Sequence, residues 1–207
     1  MLKGKFITFE GPEGCGKSTQ TGLLVEYLKS KDLNVIHTRE PGGVSIAEEL
    51  REILLKPGNT IFPRAELMLY ASGRAQHTQE LIQPALEEGK FVVCERYTHA
   101  SIAYQGYGRG LDIGLIRDLN KIATEGIAPD LTILIDIDVE EGLTRVRKSN
   151  RTFDRLESEN IEFHRKVRQG YLKLAGEDPD MVIVDAKEDK EKIHKTIIET
   201  LVSRKII

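Results

Sequence analysis

Five short apolar runs constrain the fold of this chain more than any other feature: KFITFE (5–10), NVIHTRE (34–40), FVVCE (91–95), LTILIDID (131–138) and MVIVDA (181–186). Each is rich in Val, Ile, Phe and Thr. Each is nearly continuous in hydrophobicity, the pattern of strands buried on both faces. Between them apolar residues recur at helical spacing. Leu23, Leu24, Tyr27 and Leu28 mark the first such segment, and Ile46, Leu50, Ile53 and Leu54 the second. Leu67, Met68 and Ala71, continuing to Leu81, Ile82 and Leu86, mark a long third. Leu111, Leu115, Leu119 and Ile122 mark another, and Ile193, Ile197, Ile198 and Leu201 close the chain. Strand-helix alternation over short connections builds right-handed βαβ units. The fold expected is therefore α/β, three layers with a five-stranded parallel sheet in the middle. At 207 residues and 40% hydrophobic content, one well-buried core is within reach. No repeat, low-complexity tract or linker divides the chain, so a single domain over 1–207 is expected. Two stretches read as irregular, 56–63 and 149–155.

Open parallel sheets bind ligands beyond the carboxyl ends of their strands. The first strand runs directly into GPEGCGKST, which completes the pattern G-x-x-x-x-G-K-S from Gly11 to Ser18. This is a Walker A loop: its backbone N–H groups cradle phosphates, Lys17 reaches the β and γ phosphates, and the Ser18 hydroxyl ligates Mg²⁺. A helix opening near Gly16 adds its N-terminal dipole. The candidate ATP-binding set is thus Gly11, Pro12, Glu13, Gly14, Cys15, Gly16, Lys17, Ser18 and Thr19. A GTPase switch is disfavoured. No Asp in the chain has Gly three residues later, and Asn120-Lys121 is followed by Ile122-Ala123 rather than by a guanine-reading pattern.

Glu95 ends the third run and belongs near Mg²⁺, beside Ser18. Arg96 follows it. Arginine grips phosphate bidentately, and Arg39, Arg74, Arg96, Arg109, Arg147, Arg151 and Arg155 all lie beside expected loops. Arg74 stands out as a charge inside the mostly apolar LMLYASGRAQH, one turn after Tyr70. An aromatic and an arginine on one helical face suit a base and a phosphate; a core Tyr with a surface Arg is the plainer reading. RVRKSNRTFDR carries five basic residues in eleven positions. It reads as a mobile lid, about 147–156, or as a solvated charged loop. The repulsion between Arg151 and Arg155 at i, i+4 favours an anion-binding lid.

Net charge is −3, from 30 basic and 33 acidic residues, so no chain-wide nucleic-acid or membrane footprint is expected. Cys15 and Cys94 show no metal or disulfide spacing, and no apolar span is long enough for a signal peptide or membrane helix. A cytoplasmic protein with reduced thiols is expected.

FEGPEGCGKST, TREPGG (38–43), YASGRAQH (70–77), ERYTHASIAYQGYGRG (95–110) and FDRLE (153–157) together resemble the bacterial thymidylate kinases, in the family's order and nearly at its spacing. The resemblance spans the chain from Lys5 to about Ala186. It implies transfer of phosphate from ATP to dTMP with Mg²⁺, and a homodimer packed through helices. It implies Tyr70 stacking on thymine, and Arg74 near the base edge and monophosphate. Arg39 and Arg96 become phosphate ligands, with Arg96 bridging donor and acceptor. Ser101, Tyr104 and Gln105 surround the nucleoside, Tyr104 disfavouring a ribose 2′-OH. Glu13 reaches toward the acceptor's 3′-OH or its Mg²⁺. The family supplies its catalytic arginine either from the phosphate loop or from the lid; Gly14 leaves this chain the lid type, with Arg147 and Arg151 both candidates. Arg145 and the Asp185–Lys187 loop are candidate adenine walls. The chain departs from the family at Glu95, where Asp is usual, at His99-Ala100 in place of Asp-Ser, and at Gly73 in place of an acid.

None of the five histidines is placed as an evident base, and His77 and His99 read as partly exposed structural residues. A monophosphate acceptor needs no base, because its second pKa is near ~6 and it arrives mostly dianionic. Another P-loop nucleoside monophosphate kinase, a nucleotide-dependent binding module and a nucleic-acid-stimulated ATPase are the alternatives.

Overall fold

The computed structural model describes residues 3–149 and 152–207. All five apolar runs are strands: β1 Lys5–Glu10, β2 Val35–Arg39, β3 Phe91–Glu95, β4 Leu131–Asp136 and β5 Met181–Asp185. They form one parallel sheet in the order β2-β3-β1-β4-β5. In β1 and β4 nearly every side chain is buried, as a strand covered on both faces requires.

The helices are α1 Lys17–Lys29, α2 Ser45–Leu55, α3 Pro63–His77, α4 Gln83–Glu87, α5 Thr98–Ser101, α6 Ile113–Thr124, α7 Val139–Lys148, α8 Ile161–Glu177 and α9 Lys190–Ser203. The long third segment expected from the sequence is α3 joined to α4 through a π-helical turn, Thr78–Ile82. A second π-helical stretch, Ile102–Gly108, continues α5. Such turns interrupt the regular ladder and often mark functional positions. Here the second one carries Tyr104 and Gln105.

Helices α7 and α8 are additions to the sequence reading. Their patterns were present: Val139, Leu143 and Val146 in α7, and Phe163, Val167, Tyr171 and Leu174 in α8, are buried at helical spacing. Asp138 and Asn160 cap them, accepting from the backbone N–H of Glu140 and Phe163. The surrounding charge density masked both.

Three apolar clusters hold the layers together. One, with Ile7, Leu24, Ile133, Ile135 and Ile197, joins the sheet to α1 and α9. Another, with Ile102, Tyr104, Leu134, Phe163 and Tyr171, lies on the opposite face beneath α8. The third packs Phe6, Val92 and Tyr97 against Ile82 and Leu86. Because all the pairings are parallel, the carboxyl ends of the five strands share one edge, with β2, β3 and β1 side by side.

Candidate active site

A cleft of about 810 Å³ opens at that edge. It is lined at one end by the phosphate loop and at the other by α2, α3 and the π-helical stretch. Glu13, Gly14, Cys15, Gly16, Lys17, Ser18 and Thr19 line the loop end, with Arg145 beside them. Arg39, Tyr70, Arg74, Glu95, Arg96, Ser101, Tyr104 and Gln105 also line the cleft. The fold therefore gathers nearly all the residues singled out in the sequence. Gly11 and Pro12 are not in the lining; they are buried behind it, their carbonyls accepting from Lys17 Nζ at 3.0 Å each.

The loop has no room for a side chain at position 14. Gly14 has φ +71°, and a Cβ there would stand 2.1 Å from the carbonyl oxygen of Gly142 in α7. The small residue is thus required by a backbone-to-backbone contact, whatever arginine the catalytic step uses. Gly16 caps α1 in the left-handed conformation, φ 94°.

Glu95 reaches back over the start of α1. Its Oε2 accepts from Ser18 Oγ at 2.7 Å and its Oε1 from Thr21 Oγ1 at 3.1 Å, with His37 Nε2 3.6 Å away. Burial alone would raise its pKa; the nearby His37 ring, the hydrogen bond from Ser18 and the Lys17 charge bring it down to about 2. The longer acid in place of Asp reaches the Ser18 hydroxyl. An ionised carboxylate beside a hydroxyl is a hard-oxygen pair of the kind Mg²⁺ uses together with phosphate and water. Among the described residues no cluster of three or more His, Cys, Asp or Glu could hold a metal by protein ligands alone.

Arg96 joins the two ends of the cleft. Its backbone is in the left-handed region at φ +66°, unusual for a residue with a side chain, and its N–H donates to Phe9 O at 2.8 Å. Its guanidinium donates to Glu13 Oε1 at 2.7 Å and to Tyr171 Oη at 3.0 Å, and lies 4.8 Å from the centre of the Tyr104 ring. Tyr104 Oη donates to the same Glu13 oxygen at 2.6 Å. Burial would raise the Glu13 pKa, but Arg96, Lys17 and Tyr104 hold it at about 2. Tyr104 is itself packed edge-on against Phe163 and Tyr171, which leaves it a fixed wall.

The Tyr70–Arg74 pair has the reverse of the plain reading. Arg74 is buried and Tyr70 is half-buried at the cleft. Arg74 Nε donates to Glu40 Oε2 at 2.8 Å, Nη1 to Ser101 Oγ and Asn120 Oδ1, and Nη2 to Tyr97 O. Glu40 neutralises the charge that made Arg74 conspicuous, and also meets His77 Nδ1 at 3.1 Å. His77 is wholly buried rather than partly exposed, its Nε2 2.7 Å from Thr38 Oγ1. His99 meets Asp178 at 3.1 Å. Both are engaged with acidic residues. Gly73 faces Leu50 and Ala47 of α2, so an acid there would point between helices and not into the cleft.

Arg39 pairs with Glu48 at 2.9 Å. Arg51, which the sequence reading passed over, lines the cleft nearby and donates to Pro41 O at 2.8 Å. Burial and the neighbouring Arg39 charge pull its pKa down. Two guanidinium groups in each other's field favour an anion between them. The signal in the sequence was position: Arg51 is one turn after Ala47 and one turn before Leu54, the buried residues of α2.

The basic segment divides. Arg145 donates to Ala186 O at 3.2 Å, joining α7 to the loop after β5. Arg147 is exposed on the last turn of α7 and is not part of the cleft lining. Arg151 lies outside the described residues. Arg155 is no free cation: Nη1 stands 2.6 Å from the buried Glu66, and Nε donates to Leu54 O at 2.7 Å. It sits in a turn after α7 rather than on a helix, so the repulsion argument from i, i+4 spacing does not apply. Asp136 and Asp138, at the end of β4, are taken up by Arg168.

The family model described as thymidylate kinase matches residues 9–197. A thymidylate kinase of Trichormus variabilis is 50% identical over 203 residues, covering 97% of this chain and 96% of that protein. One of a Thermoanaerobacter species is 49% identical over 201 residues, covering 97% and 98%. The crystal structure of thymidylate kinase from Ehrlichia chaffeensis superposes with a TM-score of 0.79 at 33% identity, over 96% of this chain and 98% of that one.

Proposed function

The chain belongs to the thymidylate kinase family, and on that premise we propose that it transfers the γ-phosphoryl group of ATP to dTMP, giving ADP and dTDP for nucleotide biosynthesis. The observation that carries the residue assignment is the shared cleft. One cavity holds both the phosphate loop and a second set of arginines with an aromatic, and Arg96 stands between them. A hydrolase needs only the first set.

ATP occupies the loop end. Its phosphates replace the carbonyl contacts that Lys17 makes with Gly11 and Pro12, and its adenine rests by Arg145 and the Ala186 loop. Ser18 and Glu95 would hold Mg²⁺, and their hard-oxygen chemistry fits it. A Mg²⁺ ion held there would supply neutralisation of phosphate charge. The acceptor's base stacks by Tyr70, its sugar lies against Tyr104, and its phosphate meets Arg39, Arg51 and Arg96. The acceptor oxygen is already deprotonated at neutral pH, so the protein's part is alignment and charge balance. Arg96 is positioned to bear on both the entering and the leaving phosphate. The segment of about 147–156 acts as a lid on one domain, with Arg147 or Arg151 completing the site.

We also read the chain as a homodimer. Ile46 and Ile53 of α2, Met68 of α3, and Leu115 and Ile122 of α6 are all exposed. Helix α3 packs between α2 and α6, so these side chains belong to one helical layer. A cytoplasmic setting is supported by two free, buried cysteines. No helix among the described residues is long and apolar enough to cross a membrane.

Coupled ADP-release rates across dTMP, dUMP, dGMP, AMP and shikimate test the acceptor. A clear preference for dTMP is the expected result; equal rates, or a preference for another acceptor, would defeat the reading.

A further inference from the structure

We propose that Glu66 is a positioning residue: it turns the Gln105 amide so that only the carbonyl faces the base, which makes the site read a ring N3–H and reject cytosine-type rings. This rests on assigning the Tyr70–Gln105 end of the cleft to the acceptor's base.

Glu66 is fully buried in the first turn of α3. Its Oε1 accepts from Gln105 Nε2 at 2.8 Å and from Arg109 Nε at 3.2 Å. Its Oε2 accepts from Arg109 Nη2 at 3.1 Å and lies 2.6 Å from Arg155 Nη1. Burial alone would raise its pKa. The hydrogen bonds from Arg109 and Gln105, with the charges of Arg109 and Arg155, bring it below the usual carboxylate value. Glu66 is therefore an ionised group that only accepts hydrogen bonds.

A glutamine amide is ordinarily ambidextrous. Rotating its end by half a turn exchanges donor and acceptor. Opposite a buried carboxylate, only the NH₂ side is tolerated, because a carbonyl there would leave two acceptors facing each other. Gln105 is buried, lines the cleft near Tyr70, Arg74 and Ser101, and its Oε1 has no protein partner among the described residues. The cleft is thus offered an acceptor that cannot become a donor.

Thymine has a single ring donor on its pairing edge, N3–H, between two carbonyls. Cytosine has a lone pair at N3. A locked acceptor pairs with the first and repels the second, whereas a free amide would adapt to either. Arg109 and Arg155 hold the carboxylate in place; Arg109 is itself shared with Glu159 at 2.6 Å.

The test compares kcat/KM for dTMP and 5-methyl-dCMP, which differ only at the pairing edge of the ring. It uses the full chain and the variants Glu66→Gln and Gln105→Leu. In Glu66→Gln the neighbour both donates and accepts, so Gln105 is free to turn. The preference for dTMP should fall by ~10-fold or more, with KM for ATP unchanged. A purely structural loss would lower both substrates together and leave their ratio intact; that result in a folded Glu66→Gln protein overturns the proposal. Gln105→Leu separates the premise: a wild-type ratio there would mean that this end of the cleft does not read the base. If Glu66→Gln fails to fold, Gln105→Glu serves instead. Beside Glu66 its carboxyl must share a proton, leaving an acceptor toward the ring. It should keep the dTMP preference and lose activity as pH rises. A preference reversed toward 5-methyl-dCMP would overturn the inference.

Discussion

At the scale of single residues, the site depends on how charges are paired across long sequence separations. Arg96 is the sharpest case. Its left-handed backbone and its contacts with Glu13 and Tyr171 fix one guanidinium beside the phosphate loop, where the proposed transfer places both phosphates. Arg96→Ala should lower kcat by roughly a hundred- to a thousand-fold, with a thermal midpoint close to wild type. A near-normal kcat would remove Arg96 from the transfer step. Tyr70→Ala should act differently, raising KM for dTMP far more than KM for ATP; the opposite pattern would contradict the stacking assignment. The carboxylates make a pH prediction. Glu13 and Glu95 are each depressed from 4.5 to about 2 in the folded protein. A depressed pKa contributes stability that is complete above about 4.5 and is lost as pH falls toward 2. Thermal midpoints measured across that window should drop in the wild type. They should drop less steeply in Glu95→Gln.

What the sequence disclosed follows the same division. Lys17 and Ser18 were legible because a short pattern on consecutive residues carries their chemistry, and Glu95 because it ends an apolar run. The partners that settle the remaining side chains were not. Glu40 lies 34 residues before Arg74, and Glu66 lies 43 before Arg109. No local spacing announces such pairs. Arg155 therefore looked like a free lid cation when it is neutralised by Glu66.

At the scale of elements, the phosphate loop and α7 are packed backbone against backbone. Gly14 and Gly142 touch backbone to backbone, and a Cβ on Gly142 would come within 2.2 Å of Glu13 O. Gly142→Ala must therefore push α7 away from the loop. We expect it to weaken ATP binding and to lower the thermal midpoint by several degrees, at roughly 2–4 °C per kcal/mol for a chain of this size. Unchanged KM for ATP and an unchanged midpoint would show that α7 moves freely. The strands were plain in the sequence because Val, Ile, Phe and Thr crowd into short runs, most densely in β1 and β4, which are buried on both faces. Helices α7 and α8 were obscured by the charges on their outer faces, although their buried residues kept the helical period.

At the scale of the whole molecule, the parallel sheet places all five carboxyl ends of its strands at one edge, and the cleft opens there. The exposed apolar side chains of α2, α3 and α6 are the other large-scale feature. Ile122→Glu should convert a dimer to a monomer by light scattering at micromolar concentration; a dimer that survives it would move the interface elsewhere. The central claim is that the phosphoryl group passes directly from ATP to dTMP inside one cleft. Incubation with γ-³²P-labelled ATP, dTMP and Mg²⁺, followed by separation of the products, tests it most directly. The label should appear in dTDP, equal to the ADP formed. Label in inorganic phosphate or on the protein, with dTMP unchanged, would contradict the account.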